Sequence, residues 1–167
     1  MVEHLIYNGQ KRILHLEGPS YIQNAIDRSK GWRDALKKFN LPCGNEYIIS
    51  GGVLFEDGIH AIEVALEKGL EFDSVFCFTE TQALGAKRAL QERGYRIPDD
   101  VAICTMSGTV LSTLVFPQIT AVEQQIEEMA RIATELLWAK IEDFSSPSKS
   151  IVLDSKIIKR ASTINNV

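Results

Sequence analysis

The chain has 167 residues, enough for one domain with a sizeable core. Its 45% hydrophobic and 24% charged content is ordinary for a globular fold, and a net charge of −4 argues against a surface that grips nucleic acid by charge alone. No apolar run approaches a membrane span, and Met1-Val2-Glu3-His4-Leu5-Ile6 carries an acid and no signal-peptide pattern.

The pattern alternates strand and helix almost throughout. His4 to Gly9 reads as the last turn of a helix with its glycine cap, a helix with almost no beginning, as if the chain were cut from something longer. Arg12 to Glu17 is a short strand ending at Gly18-Pro19-Ser20. Ser20 is placed to cap a helix reaching Phe39, with Ile22, Ile26, Trp32, Ala35, Leu36 and Phe39 at helical spacing. After the break at Leu41-Pro42-Cys43-Gly44, Glu46 to Ser50 is a second strand, stopped by Gly51-Gly52.

A helix from about Phe55 to Lys68 closes at Gly69. Ser74 to Phe78 is a third strand, and Thr79 or Thr81 caps a helix ending near Gly94. Val101 to Thr105 is a fourth strand, Thr109 to Val115 a short helix, and Ile119 to Val122 a brief extended segment. Glu123 to Ile141 is the clearest helix, with one stripe of Ile126, Met129, Ala130, Ala133, Leu136, Leu137 and Ile141 and acids in its first turns. Ser145 to Ser148 is a loop, Ile151 to Ile158 a last strand or strand pair, and the tail beyond Arg160 is expected to fray. The fold class is α/β, a mostly parallel sheet with helices on both faces.

Little of this carries catalytic chemistry. Cys43, Cys77 and Cys104 have no metal-ligand spacing, two of them lie in apolar strands, and free thiols suit a reducing, cytoplasmic setting. His4, His15 and His60 are scattered, with no partner at catalytic spacing. There is no nucleophile elbow, P-loop or dinucleotide fingerprint, and Gly51-Gly52 lacks the third glycine. Asp99-Asp100 after Pro98 reads as turn chemistry. No enzyme activity and no cofactor or metal is therefore expected.

Open α/β sheets bind ligands at the carboxyl ends of their strands. Arg28 follows the first strand closely, and is either a bidentate anchor for a carboxylate, phosphate or sugar or a solvated helix charge. Thr79 and Glu80 end the third strand and Ser107 follows the fourth, each read as a ligand group or as capping and turn chemistry.

Six segments together resemble the effector-binding part of LacI/GalR-type bacterial transcription regulators, which share their fold with periplasmic sugar-binding proteins. They are Leu5 to Ile13, Arg28-Ser29-Lys30-Gly31-Trp32, Ala83-Leu84-Gly85-Ala86, Ile97-Pro98-Asp99-Asp100-Val101, Pro117 to Val122 and Arg160-Ala161-Ser162-Thr163. The resemblance implies one lobe of a periplasmic-binding-protein-like fold. Residues 1–167 would form a partial effector-binding domain, with 11–119 and 151–160 in the second lobe. Residues 123–141 would be a helix of a first lobe that is otherwise missing, so that its stripe folds over an exposed surface or packs on a neighbouring chain.

It further implies a small-molecule effector, a sugar or a related metabolite, held by Asn24, Arg28, Val53, Phe55, Thr79, Glu80 and Ser107. A homodimer would form through Leu84, Lys87, Arg88, Leu111, Leu114 and Val115, and DNA would be met only through a headpiece that this chain lacks. Arg28 matches the family arginine. Thr79-Glu80 stand where Asn-Asp is usual, and Thr105-Met106-Ser107 where Gly-aromatic-Asp is usual. These departures permit a more anionic or less hydroxylated ligand. A sugar-binding receptor of a transport system is the alternative reading.

Overall fold

The computed structural model describes residues 1–145 and 147–164; residue 146 of the expected loop and residues 165–167 of the tail lie outside them. The elements in chain order are α1 (Val2–Tyr7), β1 (Ile13–Glu17), α2 (Gln23–Lys38), β2 (Ile48–Ser50), α3 (Phe55–Glu67), β3 (Ser74–Cys77), α4 (Glu80–Glu92), β4 (Ala102–Thr105), β5 (Thr120–Glu123), α5 (Ile126–Glu142) and β6 (Lys156–Ile158). They build one six-stranded sheet in the order β2-β1-β3-β4-β5-β6. All neighbours are parallel except β6, which runs antiparallel to β5.

The central strands are apolar on both faces, as a sheet covered on both sides requires. Leu14, Leu16, Val75, Cys77 and Ile103 face α3 and α4. Ile13, Phe76, Ala102 and Cys104 face α1 and α2. Cys77 and Cys104 are fully buried, and burial pushes the Cys104 thiol up to about 12, so both act as small apolar side chains.

Several expected boundaries move. Ser20 does not cap α2; Ile22 holds the N-cap position and the helix begins at Gln23. Its buried face is Ala25, Ser29, Trp32 and Leu36, so Ile26 lies on the exposed side. The segment after Gly108 is a 3-10 turn, Val110–Thr113. The helix expected from Glu123 starts three residues later, because Glu123 still pairs with Lys156 in the sheet. None of α5 is buried: Ile126, Met129, Leu137 and Ile141 are exposed, and so is Trp138. Among the described residues the stripe is therefore not covered by the sheet. Of Ile151 to Ile158, only Lys156–Ile158 is strand.

The tail is not frayed at 160–163. Ser162 and Thr163 are buried. Ile103 N–H donates to the Ser162 carbonyl at 2.9 Å, Ser162 Oγ–H donates to the Ile103 carbonyl at 2.6 Å, and Thr120 N–H donates to Ser162 Oγ at 2.8 Å. The tail thus completes the ladder where β4 and β5 diverge. His4 of α1 and Asn8 at its C-cap then clasp Thr163, at 2.8 Å each.

The tightest contact joins α3 to α4. A Cβ on Gly85 would lie 1.9 Å from the Phe55 carbonyl oxygen, and one on Gly58 would lie 2.1 Å from that of Gln82. These are backbone-to-backbone approaches, so no side chain can move aside. An alanine in a free helix would gain about 1 kcal/mol over glycine. Here Gly85→Ala is expected to destabilise by about 1–3 kcal/mol, because two helices must separate. Urea unfolding of the two chains checks the sign.

Candidate ligand site at the carboxyl edge

The carboxyl ends of β1, β3 and β4 lie side by side, through the pairs Leu16–Cys77 and Cys77–Thr105. The groups that follow them are Glu17, Phe78-Thr79 and Met106-Ser107. Arg28 reaches this edge from the second turn of α2. It donates to the Phe78 carbonyl at 2.9 Å, and its guanidinium lies 4.5 Å from the Phe78 ring centroid. Half-buried, it has its pKa pulled down by burial.

Asn24, Arg28 and Met106 line two adjoining hollows. One, of about 630 Å³, opens between α1 and α2. The other, of about 340 Å³, has Val122, Gln124, Gln125 and Met129 on one side and Leu153, Asp154 and Ser155 on another. The second is a cleft between the strand edge and the chain that leaves and re-enters the sheet. A concave site with few convergent polar groups at a sheet edge is where small ligands bind.

The other expected ligand residues are used differently. Glu80 is 4% exposed, and its carboxylate accepts from Thr109 N–H at 2.8 Å, from Ser112 N–H at 2.8 Å and from the Thr109 hydroxyl. It points into the 109–112 turn and away from the cleft, because a buried carboxylate needs every donor that turn offers. Thr79 is the N-cap of α4, in a capping box with Gln82. Its hydroxyl proton goes to the Val53 carbonyl at 2.8 Å. Val53 therefore acts through its backbone. Ser107 Oγ accepts from Glu80 N–H at 3.2 Å and keeps its own proton to donate. None of these three lines the cleft. Phe55 is placed elsewhere: it lines a groove with Leu84, Lys87, Arg88 and Val115, its ring 6.0 Å from the Arg88 guanidinium. Its position at the first turn of α3 turns it toward α4 and away from Arg28.

That groove, of about 510 Å³, gathers four of the six expected dimer residues. Arg88 pairs with Glu92, while Lys87 is buried, donates to Gln91 at 2.9 Å and has its pKa lowered by burial. Leu111 and Leu114 do not line the groove; they stand exposed on the nearby 3-10 turn, Leu114 at 72%.

The sequence missed two things at this edge. Gln124, Gln125 and Asp154 line the cleft from the crossing segments, and the position of Gln124-Gln125 just past β5 was the available signal. The second is a buried polar chain behind the edge. His15 is stacked between Trp32 and Phe76 and donates Nδ1–H to the Phe76 carbonyl at 3.1 Å. Its Nε2 lies 3.0 Å from Ser29 Oγ, which is 2.5 Å from Glu17 Oε1; Ser50 donates to Glu17 Oε2 at 2.7 Å. The one Ser29 proton thus serves two acceptors. Burial pulls His15 down to about 4. Burial pushes the Glu17 carboxyl up, but bonds from Ser29 and Ser50 outweigh it and hold it low.

The structure is thus an α/β fold, a mostly parallel six-stranded sheet with helices on both faces. Residues 2–163 match the model of the periplasmic binding protein-like domain, and the chain belongs to that family. Its homologues are LacI/GalR regulators. Catabolite control protein A of Priestia megaterium is 32% identical over 97% of this chain and 49% of that protein. The regulator GalR of Salmonella typhimurium is 28% identical over 95% of this chain and 46% of its own length. A solved complex of the regulator CelR with cellobiose superposes with a TM-score of 0.90 at 27% identity, over 96% of this chain and 49% of that one. The chain therefore spans about half the length of these relatives.

His15 sets the acid side of the stability profile. Its folded pKa, about 4, lies below the ordinary 6.5, so the unfolded chain takes up the proton first. The neutral imidazole's contribution is complete above about 6.5 and is lost as pH falls to about 4, a loss of about 3 kcal/mol. Thermal unfolding across that window should show this slope in the native chain and a flatter one in His15→Phe.

Proposed function

We propose that this chain is the ligand-sensing and dimerising portion of a bacterial LacI-type transcription regulator. Residues 11–119 and 151–160 belong to its second lobe, and 123–141 supply a helix to a first lobe. The observation that carries the reading is the position of Asn24 and Arg28 on a cleft whose far walls are the crossing segments 122–129 and 153–155. A small effector bound there touches both the sheet edge and the crossover, so it favours one angle between lobes over another. That angle sets the spacing of DNA-binding headpieces outside this chain. Likeness to the solved regulators CelR and CcpA of Lactococcus lactis favours this reading over a transport receptor. The protein acts in the cytoplasm as a homodimer and is not an enzyme.

Arg28 supplies the first test. A thermal-shift screen of monosaccharides, sugar phosphates and purines on the intact protein identifies an effector, and calorimetry then compares Arg28→Ala. A drop in affinity of about tenfold or more is expected for a lost charge-assisted contact; unchanged affinity removes Arg28 from the site. The 167-residue chain itself should give no mobility shift with DNA at physiological salt.

The groove of Phe55, Leu84, Lys87, Arg88 and Val115, with exposed Leu111 and Leu114 beside it, is the dimer surface of this reading. Leu114→Asp places a charge in that patch with no core role. Sedimentation should show a weaker dimer for the variant at equal stability. A monomeric native chain would sink the assignment.

A further inference from the structure

Arg28 carries a charge without a counter-charge. Among the described residues the ion pairs are all made by other cations. Among the described residues its acceptor is the neutral Phe78 carbonyl, and the ring below it is neutral too. A half-buried guanidinium left this way costs free energy, and a bound anion recovers it.

The rest of the strand edge points the same way. A neutral sugar is best held by acceptors for its hydroxyl protons, and the two carboxylates of the strand edge already accept bonds from within the protein. Glu80 is turned into the 109–112 turn with both oxygens occupied. Glu17 accepts from Ser29 and Ser50. What the edge offers the cleft is the remaining N–H groups of Arg28 and, beside them, the Asn24 amide.

Across the cleft the chemistry reverses. Asp154 lines the opposite wall, with the amide side chains of Gln124 and Gln125. The cleft therefore has a cationic side and an anionic side within a volume of about 340 Å³, which suits a single metabolite. A simple dicarboxylate would be repelled at Asp154. A ligand with an acid at one end and hydroxyl donors at the other fits both walls.

We infer that the ligand of this cleft is a hydroxylated acid of monosaccharide size, its carboxylate or phosphate on Arg28 and its hydroxyls toward Asp154. The inference rests on the reading of this cleft as the effector site. Matched probes test it: D-glucose, D-glucuronate and D-glucose 6-phosphate, each titrated into the nitrogen-15-labelled chain and followed by NMR. Both acids should shift the Arg28 Nε–H and the Asn24 amide and bind about tenfold tighter than glucose. Arg28→Gln should erase that preference, and Arg28→Lys, which keeps the charge but not the fork, should retain part of it. Thermal unfolding of both variants confirms that they fold. Glucose binding as tightly as the acids would overturn the acid class and leave the effector site standing. No shift at the cleft by any of the three would overturn both.

Discussion

The Glu80 carboxylate holds the functional edge together. It is buried, and a buried charge is tolerated only when its lone pairs are filled. Thr109 and Ser112 fill them from one tight turn. Glu80 also sits in the first turn of α4, where the helix dipole favours an anion. Its own N–H is received by Ser107. One residue thus binds the turn after β4 to the start of α4. The chain of bonds continues, because Ser112 Oγ accepts from Arg160, which also donates to the Ile119 carbonyl at 2.7 Å. The strand edge beside the cleft, the turn carrying Leu111 and Leu114, and the returning chain therefore share one polar spine.

This explains why some features could be read from the sequence and others not. Strand alternation is local, so Leu14 and Leu16 against Ile13, or Val75 and Cys77 against Phe76, announce a sheet covered on both faces. The Ala83-Leu84-Gly85-Ala86 run is also legible, and its physical content is the close approach of α3 to α4 at Gly85. Arg28, noted from its place after the first strand, and Asn24, implied by the resemblance, line one cleft. The roles of Glu80, Phe55 and Ser162 were not legible, because each is decided by a partner distant in sequence. Glu80 had a side chain suited to a ligand, and only the 109–112 turn reveals that it is already occupied. The tail at Ser162 looked like an end, and only the gap between β4 and β5 makes it a strand substitute.

The helix α5 shows the opposite failure, a pattern read correctly with no partner to satisfy it. Its apolar stripe has the period of a buried face, yet Ile126, Met129, Leu137 and Ile141 remain exposed. An apolar face of that extent favours being covered. The consequence for the site is mechanical. Gln124 and Gln125 immediately precede the helix, and Met129 lies in its first turn; all three wall the cleft opposite Arg28. Whatever covers α5 also sets how far those groups stand from the guanidinium. The far wall of the cleft and the exposed helix are therefore carried by the same short segment. The near side of the cleft is the strand edge with Arg28, and its far side is the chain that leads into α5.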